Sequence, residues 1–264
     1  MASKYQSVQP GGSLIIAWRA QGKKVLIVGG GVVAAGRILH VLNADAHVIV
    51  VSPKAGLCKE VAWRIQEKQV EWRDRGFLVE DLSDDVNMVL TAIDDPSLSS
   101  EIYKLCKSKK IPVNAADIPP ECDFYFGSEI RNGPLQIMVS TNGKGPKLAS
   151  LIRKKIESSI NPATGMALEK TGLLRQKLRD IVPEPENSRK RMRWMIEICE
   201  LWSLEELAML DENLINRLLG YFPKKTPSYR EITTPAYSKI DNYIWFGAII
   251  ISGAVLLKHV SKAR

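Results

Sequence analysis

The chain has little of what metal centres, disulfide frameworks and secretion require. Its 264 residues hold four cysteines and three histidines. Cys58, Cys106, Cys122 and Cys199 lie far apart, with no C-x-x-C pair and no Cys/His cluster at zinc spacing, so no metal ligands are assigned. Such scattered thiols fit a reducing intracellular compartment better than a disulfide scaffold. His40, His47 and His259 have ordinary packing or surface readings. The first twelve residues contain no apolar signal core. There is no internal repeat, no low-complexity block and no nucleic-acid module. The basic cluster Arg189-Lys190-Arg-Met-Arg193 therefore reads as a solvated helix face, although the net charge of +8 favours an anionic partner of some kind.

Long apolar runs are missing as well, until the C-terminus. Residues 243–257 are uncharged and apolar, with Tyr243 and Trp245 at one end and Lys258 at the other. The run is short for a typical span but can cross a thin bilayer with Lys258 snorkelling. A tail-anchor helix is expected at 241–260, placing the rest of the chain on the cytoplasmic side of a mitochondrial outer membrane or endoplasmic reticulum.

What is present begins at Lys24. Lys24–Val28 reads as a buried strand, Gly29-Gly30-Gly31 as a turn, and Val32 to Leu42 as a helix. Gly29, Gly31 and Ala34 fit G-x-G-x-x-A, the dinucleotide pattern: a tight turn, close backbone approach to a pyrophosphate, and close helix–strand packing. Gly29, Gly30, Gly31 and the helix start Val32-Val33 are the expected cofactor contacts. Strands then alternate with helices: His47–Val51, a helix at 61–67, a short strand at 70–72, strand 88–92, helix 96–107 and strand 111–114. This alternation predicts a parallel α/β sheet of Rossmann type. The second strand ends Val51-Ser52-Pro53-Lys54, without the acid that usually binds the ribose. Ser52 is the candidate there, and NAD and NADP both stay open. Tyr103 and Lys107 form a Y-x-x-x-K pair, read as an exposed helix pair and not as catalysis.

Asn114 and Asp117 follow the last strand, at the sheet edge where open α/β folds bind ligands, so Asn114 is a cofactor candidate and Asp117 a candidate general base. Further on, residues 124–126 and 135–140 are expected to form a hairpin around Arg131-Asn-Gly133. Ser140, Thr141, Asn142 and Lys144 lie in a loop before a helix with an apolar stripe of Leu148, Leu151, Ile152, Ile156 and Ile160. Hydroxyls, backbone donors and Lys144 suit carboxylates. Helices are expected at 166–182, 188–202 and 204–219, and a linker at 223–240.

Five motifs in register now carry a resemblance: Gly29-Gly-Gly31, Val51-Ser-Pro53, Val113-Asn-Ala-Ala-Asp117-Ile-Pro119, Cys122-Asp-Phe-Tyr-Phe-Gly127, and Ser140-Thr-Asn-Gly143 followed by Pro146. Together they resemble the fungal sirohaem synthases, which combine precorrin-2 dehydrogenase and sirohydrochlorin ferrochelatase activities. The resemblance implies a homodimer: a dinucleotide domain at 1–115, a dimerisation and active-site region at 116–147, and a helical domain at 148–222. It implies NAD as cofactor, Fe2+ as substrate, precorrin-2 and sirohydrochlorin as ligands, a place in sulfate assimilation and methionine biosynthesis, and Asp117 serving both reactions. The position matching a serine phosphorylated in bacterial relatives is Thr141. A family member lacking the chelatase step and a non-catalytic, membrane-tethered NAD-binding protein are the alternatives. The apolar tail lies outside the family pattern.

Overall fold

A computed structural model of the chain describes residues 7, 8 and 10–234. The expected helix at 241–260 and the end of the expected linker lie outside the described residues. Among those described, no helix is long and apolar enough to cross a membrane. The chain forms two compact units, the first ending at Phe126 and the second beginning at Gly127, so residues 116–126 belong with the first.

The first unit is built from β1 (Lys24–Val28), α1 (Val32–Leu42), β2 (His47–Val51), α2 (Lys59–Gln66), β3 (Glu71–Arg73), β4 (Val86–Thr91), α3 (Pro96–Ser108) and β5 (Val113–Ala115). The strands make one parallel sheet in the order β3-β2-β1-β4-β5. β1, β2 and β4 are aliphatic runs because helices cover both faces of the sheet. Side chains alternate across it. Val25 and Ile27 pack with Ala34, Ala35, Ile38 and Val41 of α1, whereas Leu26 and Val28 pack with Ile102 and Cys106 of α3. Burial, reinforced by Asp123, pushes the Cys106 thiol up to about 12, so it is a packing residue. Asp95 caps α3 by accepting from the Leu98 N–H, with Pro96 in the first turn. All four cysteines are free thiols.

In the second unit β6 (Ser128–Asn132) and β7 (Leu135–Val139) pair antiparallel around Gly133-Pro134. The expected strand at 124–126 is corrected: those residues precede the hairpin as irregular chain. Phe126 is drawn to α1 instead, its ring 5.7 Å from His40. Then come α4 (Pro146–Ser159), α5 (Thr164–Ile181), α6 (Ser188–Leu201), α7 (Leu204–Ala208), α8 (Glu212–Leu219) and α9 (Tyr229–Thr233). Leu174 and Leu178 of α5, Trp194 and Ile198 of α6, and Ile215 and Leu218 of α8 share one core.

Three expectations change here. The single helix over 204–219 is two, because Asp211 turns its carboxylate onto the Leu214 N–H at 2.7 Å and starts α8 afresh. The linker from 223 is packed as far as it is described. Trp194 Nε1 donates to the Lys225 carbonyl at 3.0 Å and Trp202 Nε1 to that of Pro227 at 2.9 Å, and Ile232 of α9 is buried. The α4 stripe is present but faces outward: Leu148, Leu151 and Ile152 are 57%, 51% and 40% exposed.

Candidate functional site

The sheet order reverses between β1 and β4, so the loops after these strands open a crevice at its C-terminal edge. The glycine turn sits there. Gly29 has φ +121°, and a Cβ on it would meet the Ala92 carbonyl oxygen at 2.1 Å, so only glycine fits. A Cβ on Gly30 would meet Leu57 and the Ser52 hydroxyl, at 2.6 and 2.8 Å. Gly31 is different: a Cβ there would meet nothing within 4 Å. It is the N-cap of α1, without a side-chain cap. The first-turn N–H groups of Val32 and Val33, whose side chains are exposed, therefore face open space with the positive end of the helix dipole behind them.

At the end of β2, Ser52 is buried. Its hydroxyl donates to the Pro53 carbonyl at 3.2 Å, and its own carbonyl accepts from Trp72 Nε1 at 3.0 Å. A carboxylate reaches this edge after all. Asp74, just past β3, accepts from the Lys54 N–H at 2.7 Å. Sequence inspection missed it because β3 is only three residues long and has no apolar run.

Asp117 stands just beyond β5, exposed, with φ +63° in the left-handed region. Its loop is tied down on every side. Ala116 N–H donates to the Thr91 carbonyl at 3.0 Å, Asn114 Nδ2 to that of Phe124 at 2.8 Å, and Cys122 Sγ to that of Ala115 at 3.1 Å. Asp123 accepts from the Val113 N–H at 3.1 Å and from Lys107 Nζ at 2.7 Å. One N–H of the Asn114 amide thus ties the loop. Lys107 serves the same latch, its pKa raised by the hydrogen bond to Asp123, with its ammonium 6.0 Å from the Tyr103 ring centroid.

Two side chains at this edge escaped the sequence patterns. Arg37, the only charged residue of α1, lays its guanidinium over the Phe126 ring at 4.0 Å, and burial lowers its pKa against the opposing pull of the Asp117 carboxylate. Its Nε is buried without a hydrogen-bond partner. The Thr91 hydroxyl, at the end of β4, is buried and equally unpartnered. Burial pushes the Cys122 thiol up, with Arg37 pulling the other way.

Ser140, Thr141, Asn142 and Lys144 belong to the second unit. The Ser140 hydroxyl accepts from the Asn142 N–H and the Thr141 hydroxyl from the Gly145 N–H, both at 3.2 Å. Asn142 and Gly143 have φ of +52° and +77°, and the loop leads into α4 at Gly145-Pro146.

The crevice residues fit a dinucleotide. The space over Gly31 and the open first turn of α1 suit a pyrophosphate, and the unpaired Thr91 hydroxyl offers a hydrogen bond deeper in.

Comparison with known proteins points to the same class of ligand. Residues 16–128 match a family of putative NAD(P)-binding domains. Residues 132–159 match the central domain of sirohaem biosynthesis proteins, and 161–227 their C-terminal domain. A sirohaem biosynthesis protein of Saccharomyces cerevisiae is 30% identical, over 80% of this chain and 89% of its own length. A sirohaem synthase of Thioalkalivibrio sulfidiphilus is 36% identical over 68% of this chain. The chain spans 36% of the length of that protein, and 32–36% of the other bacterial sirohaem synthases it matches. In fold, it is similar to the solved structure of a precorrin-2 dehydrogenase, with a TM-score of 0.60 and 20% identity over 80% of this chain and all of that one.

Proposed function

The chain belongs to the sirohaem synthase family, and on that premise we propose that it oxidises precorrin-2 to sirohydrochlorin and then inserts ferrous iron to give sirohaem, Asp117 being the base of both steps. The observation that carries this reading is the sharing of one sheet edge by the glycine turn and Asp117. Gly31 and the first turn of α1 hold the dinucleotide phosphates, and Thr91 lies deeper at the same edge. Bound NAD+ supplies the hydride acceptor for the first step. Asp117 takes the proton that leaves the macrocycle, and its position on a latched but exposed loop gives a large ligand access to it. In the second step two pyrrole N–H protons leave as Fe2+ enters, and the same exposed carboxylate accepts them one at a time, passing each to water before the next. Iron is a substrate here, so no resident metal cage is called for.

Ser140, Thr141, Asn142 and Lys144 are the proposed contacts for the substrate's carboxylates. Asp74 at the Lys54 backbone favours NAD, whose ribose offers hydroxyls to a carboxylate, over NADP, whose 2′-phosphate it would repel. The outward stripe of Leu148, Leu151 and Ile152 supports a homodimer. Leu151→Asp should then yield a monomer by sedimentation, and a wild type that is itself monomeric would refute the dimer. The residues at 241–260 are proposed to anchor the protein in a mitochondrial outer or endoplasmic reticulum membrane, facing the cytoplasm. Release of the full chain by carbonate extraction would count against that.

The central test is Asp117→Ala, assayed with precorrin-2 and NAD+ and then with Fe2+. Both activities should be lost while NAD+ binding stays at the wild-type level. A variant that still makes sirohydrochlorin at the normal rate would overturn the assignment. Wild-type protein that stops at sirohydrochlorin when Fe2+ is supplied would identify a dehydrogenase without the chelatase step.

A further inference from the structure

Arg37 poses a physical problem. A guanidinium carries N–H donors on all sides, and burying any of them unpaired is costly. Here Nε is buried with no hydrogen-bond partner, and among the described residues no carboxylate forms an ion pair with the group. Its support is the Phe126 ring, 4.0 Å from the guanidinium carbon. Stacking of that kind fixes the plane of the fork and leaves its donors unspent.

The placement is specific. α1 begins at the glycine turn, and long helical side chains lean back towards the helix N-terminus. The head of Arg37 is accordingly held at the ligand edge of the sheet, partly buried and within electrostatic reach of the Asp117 carboxylate. Asp117 is exposed and makes no ion pair with it. A half-buried cation with a fixed plane and open donors, beside the base and below the phosphate turn, is arranged to receive an oxyanion.

We propose that Arg37 is an anion-recognition residue of this crevice, its guanidinium fork taking either a carboxylate of the tetrapyrrole or a phosphate of the dinucleotide. This rests on the proposed function for the identity of the ligands. Binding of a carboxylate would pin the macrocycle with its reacting edge towards Asp117. Binding of a phosphate would instead extend the grip of the glycine turn along α1.

The test compares wild type with Arg37→Met, which keeps an apolar stem against Phe126, and Arg37→Lys, which keeps the charge but loses the fork. Equilibrium binding of NAD+ and of sirohydrochlorin is measured separately, with thermal unfolding as the check on folding. If the partner is a carboxylate, Arg37→Met weakens sirohydrochlorin about 10- to 100-fold and leaves NAD+ alone, the loss expected for one charge-assisted contact. If it is a phosphate, the same loss falls on NAD+. In either case Arg37→Lys recovers only part of the affinity. A folded Arg37→Met protein that binds both ligands as wild type does would overturn the proposal. Because these are binding measurements, a wild type that binds both ligands yet turns nothing over sinks the proposed function while the Arg37 result stands. A wild type that binds neither sinks both.

Discussion

Gly29 and Gly31 are two residues apart in one turn, yet replacing each by alanine should have opposite consequences. At Gly29 two penalties add. Its φ of +121° is a conformation that an L side chain adopts only under strain, at about 1–3 kcal/mol. The new Cβ would also lie 2.1 Å from the Ala92 carbonyl oxygen and 2.8 Å from its carbon. Those atoms are backbone at the end of β4, where the Ala92 N–H donates to the Val28 carbonyl at 2.8 Å, so relief means dragging one central strand off another. Overpacking of this sort costs roughly 1–3 kcal/mol more. A total of about 2–6 kcal/mol is a large part of the 5–15 kcal/mol typical of a domain. At Gly31, φ is −75° and the Cβ meets no protein atom. Alanine is a poorer N-cap than glycine, but it also has less freedom to lose on folding, so the net change should stay within about 1 kcal/mol. The methyl group would instead stand where the pyrophosphate comes closest and weaken NAD+ about 10- to 100-fold, by the same overpacking argument. Urea titration read through hydrogen exchange of β1 amides reports the first unit alone, and fluorescence titration gives the NAD+ affinity. A Gly31→Ala protein that binds NAD+ normally, or a Gly29→Ala protein as stable as wild type, would refute the reasoning.

Asp81 offers a test by pH. Its carboxylate is buried, which raises its pKa, but hydrogen bonds from Arg75, the Leu78 N–H and Arg73 outweigh that and hold it at about 2. The folded value lies below the unfolded one of about 3.9, so the group contributes about 2 kcal/mol at neutral pH, lost as pH falls from about 4 through 2. Asp81→Asn should lower stability at pH 7 by about 2–4 kcal/mol and flatten that part of the acid-unfolding curve, and an unchanged slope would contradict it. Lys107→Met removes the half-exposed ion pair with Asp123. It should cost at most about 1 kcal/mol and leave turnover within about twofold, whereas a hundredfold fall would restore a chemical role to the Tyr103–Lys107 pair.

The sheet and its ligand edge are legible in the sequence for a local reason. β1 and β2 are runs of aliphatic residues buried on both faces, and the glycines that follow β1 mark the turn at the C-terminal edge of the sheet. Asp117 is legible by position, as the polar residue just past a strand end. Arg37 is not, because in sequence it looks like one solvated charge on a helix. Its significance comes from stacking on Phe126 within electrostatic reach of Asp117, residues some ninety and eighty positions away. Asp74 hides behind a strand of three residues that has no apolar pattern. The break before α8 is hidden for the opposite reason, since Leu207, Met209 and Leu210 continue a helical pattern that the Asp211 cap interrupts. Prolines around 223–227 imitate a tether, and only the indole hydrogen bonds of Trp194 and Trp202 reveal a packed strap.

Asn114 separates scaffold from ligand contact most sharply. Its position after β5 suits a cofactor residue, but its Nδ2 holds the Phe124 carbonyl at 2.8 Å from a buried site. That bond closes the base of the loop carrying Asp117, whose positive φ persists only while the surroundings hold it. Asn114→Ala leaves a carbonyl without its partner, a loss of about 1–3 kcal/mol. For a protein of this size that lowers Tm by roughly 2–10 °C. As a latch, the residue should affect stability and kcat together, because a loosened Asp117, the proposed base, is misplaced for the proton, while NAD+ affinity stays within about twofold of wild type. As a cofactor contact, it should raise the NAD+ Kd tenfold or so and leave the Tm near that of wild type. The hydrogen bond to Phe124 favours the first outcome, since losing it loosens the loop that carries Asp117, the proposed base.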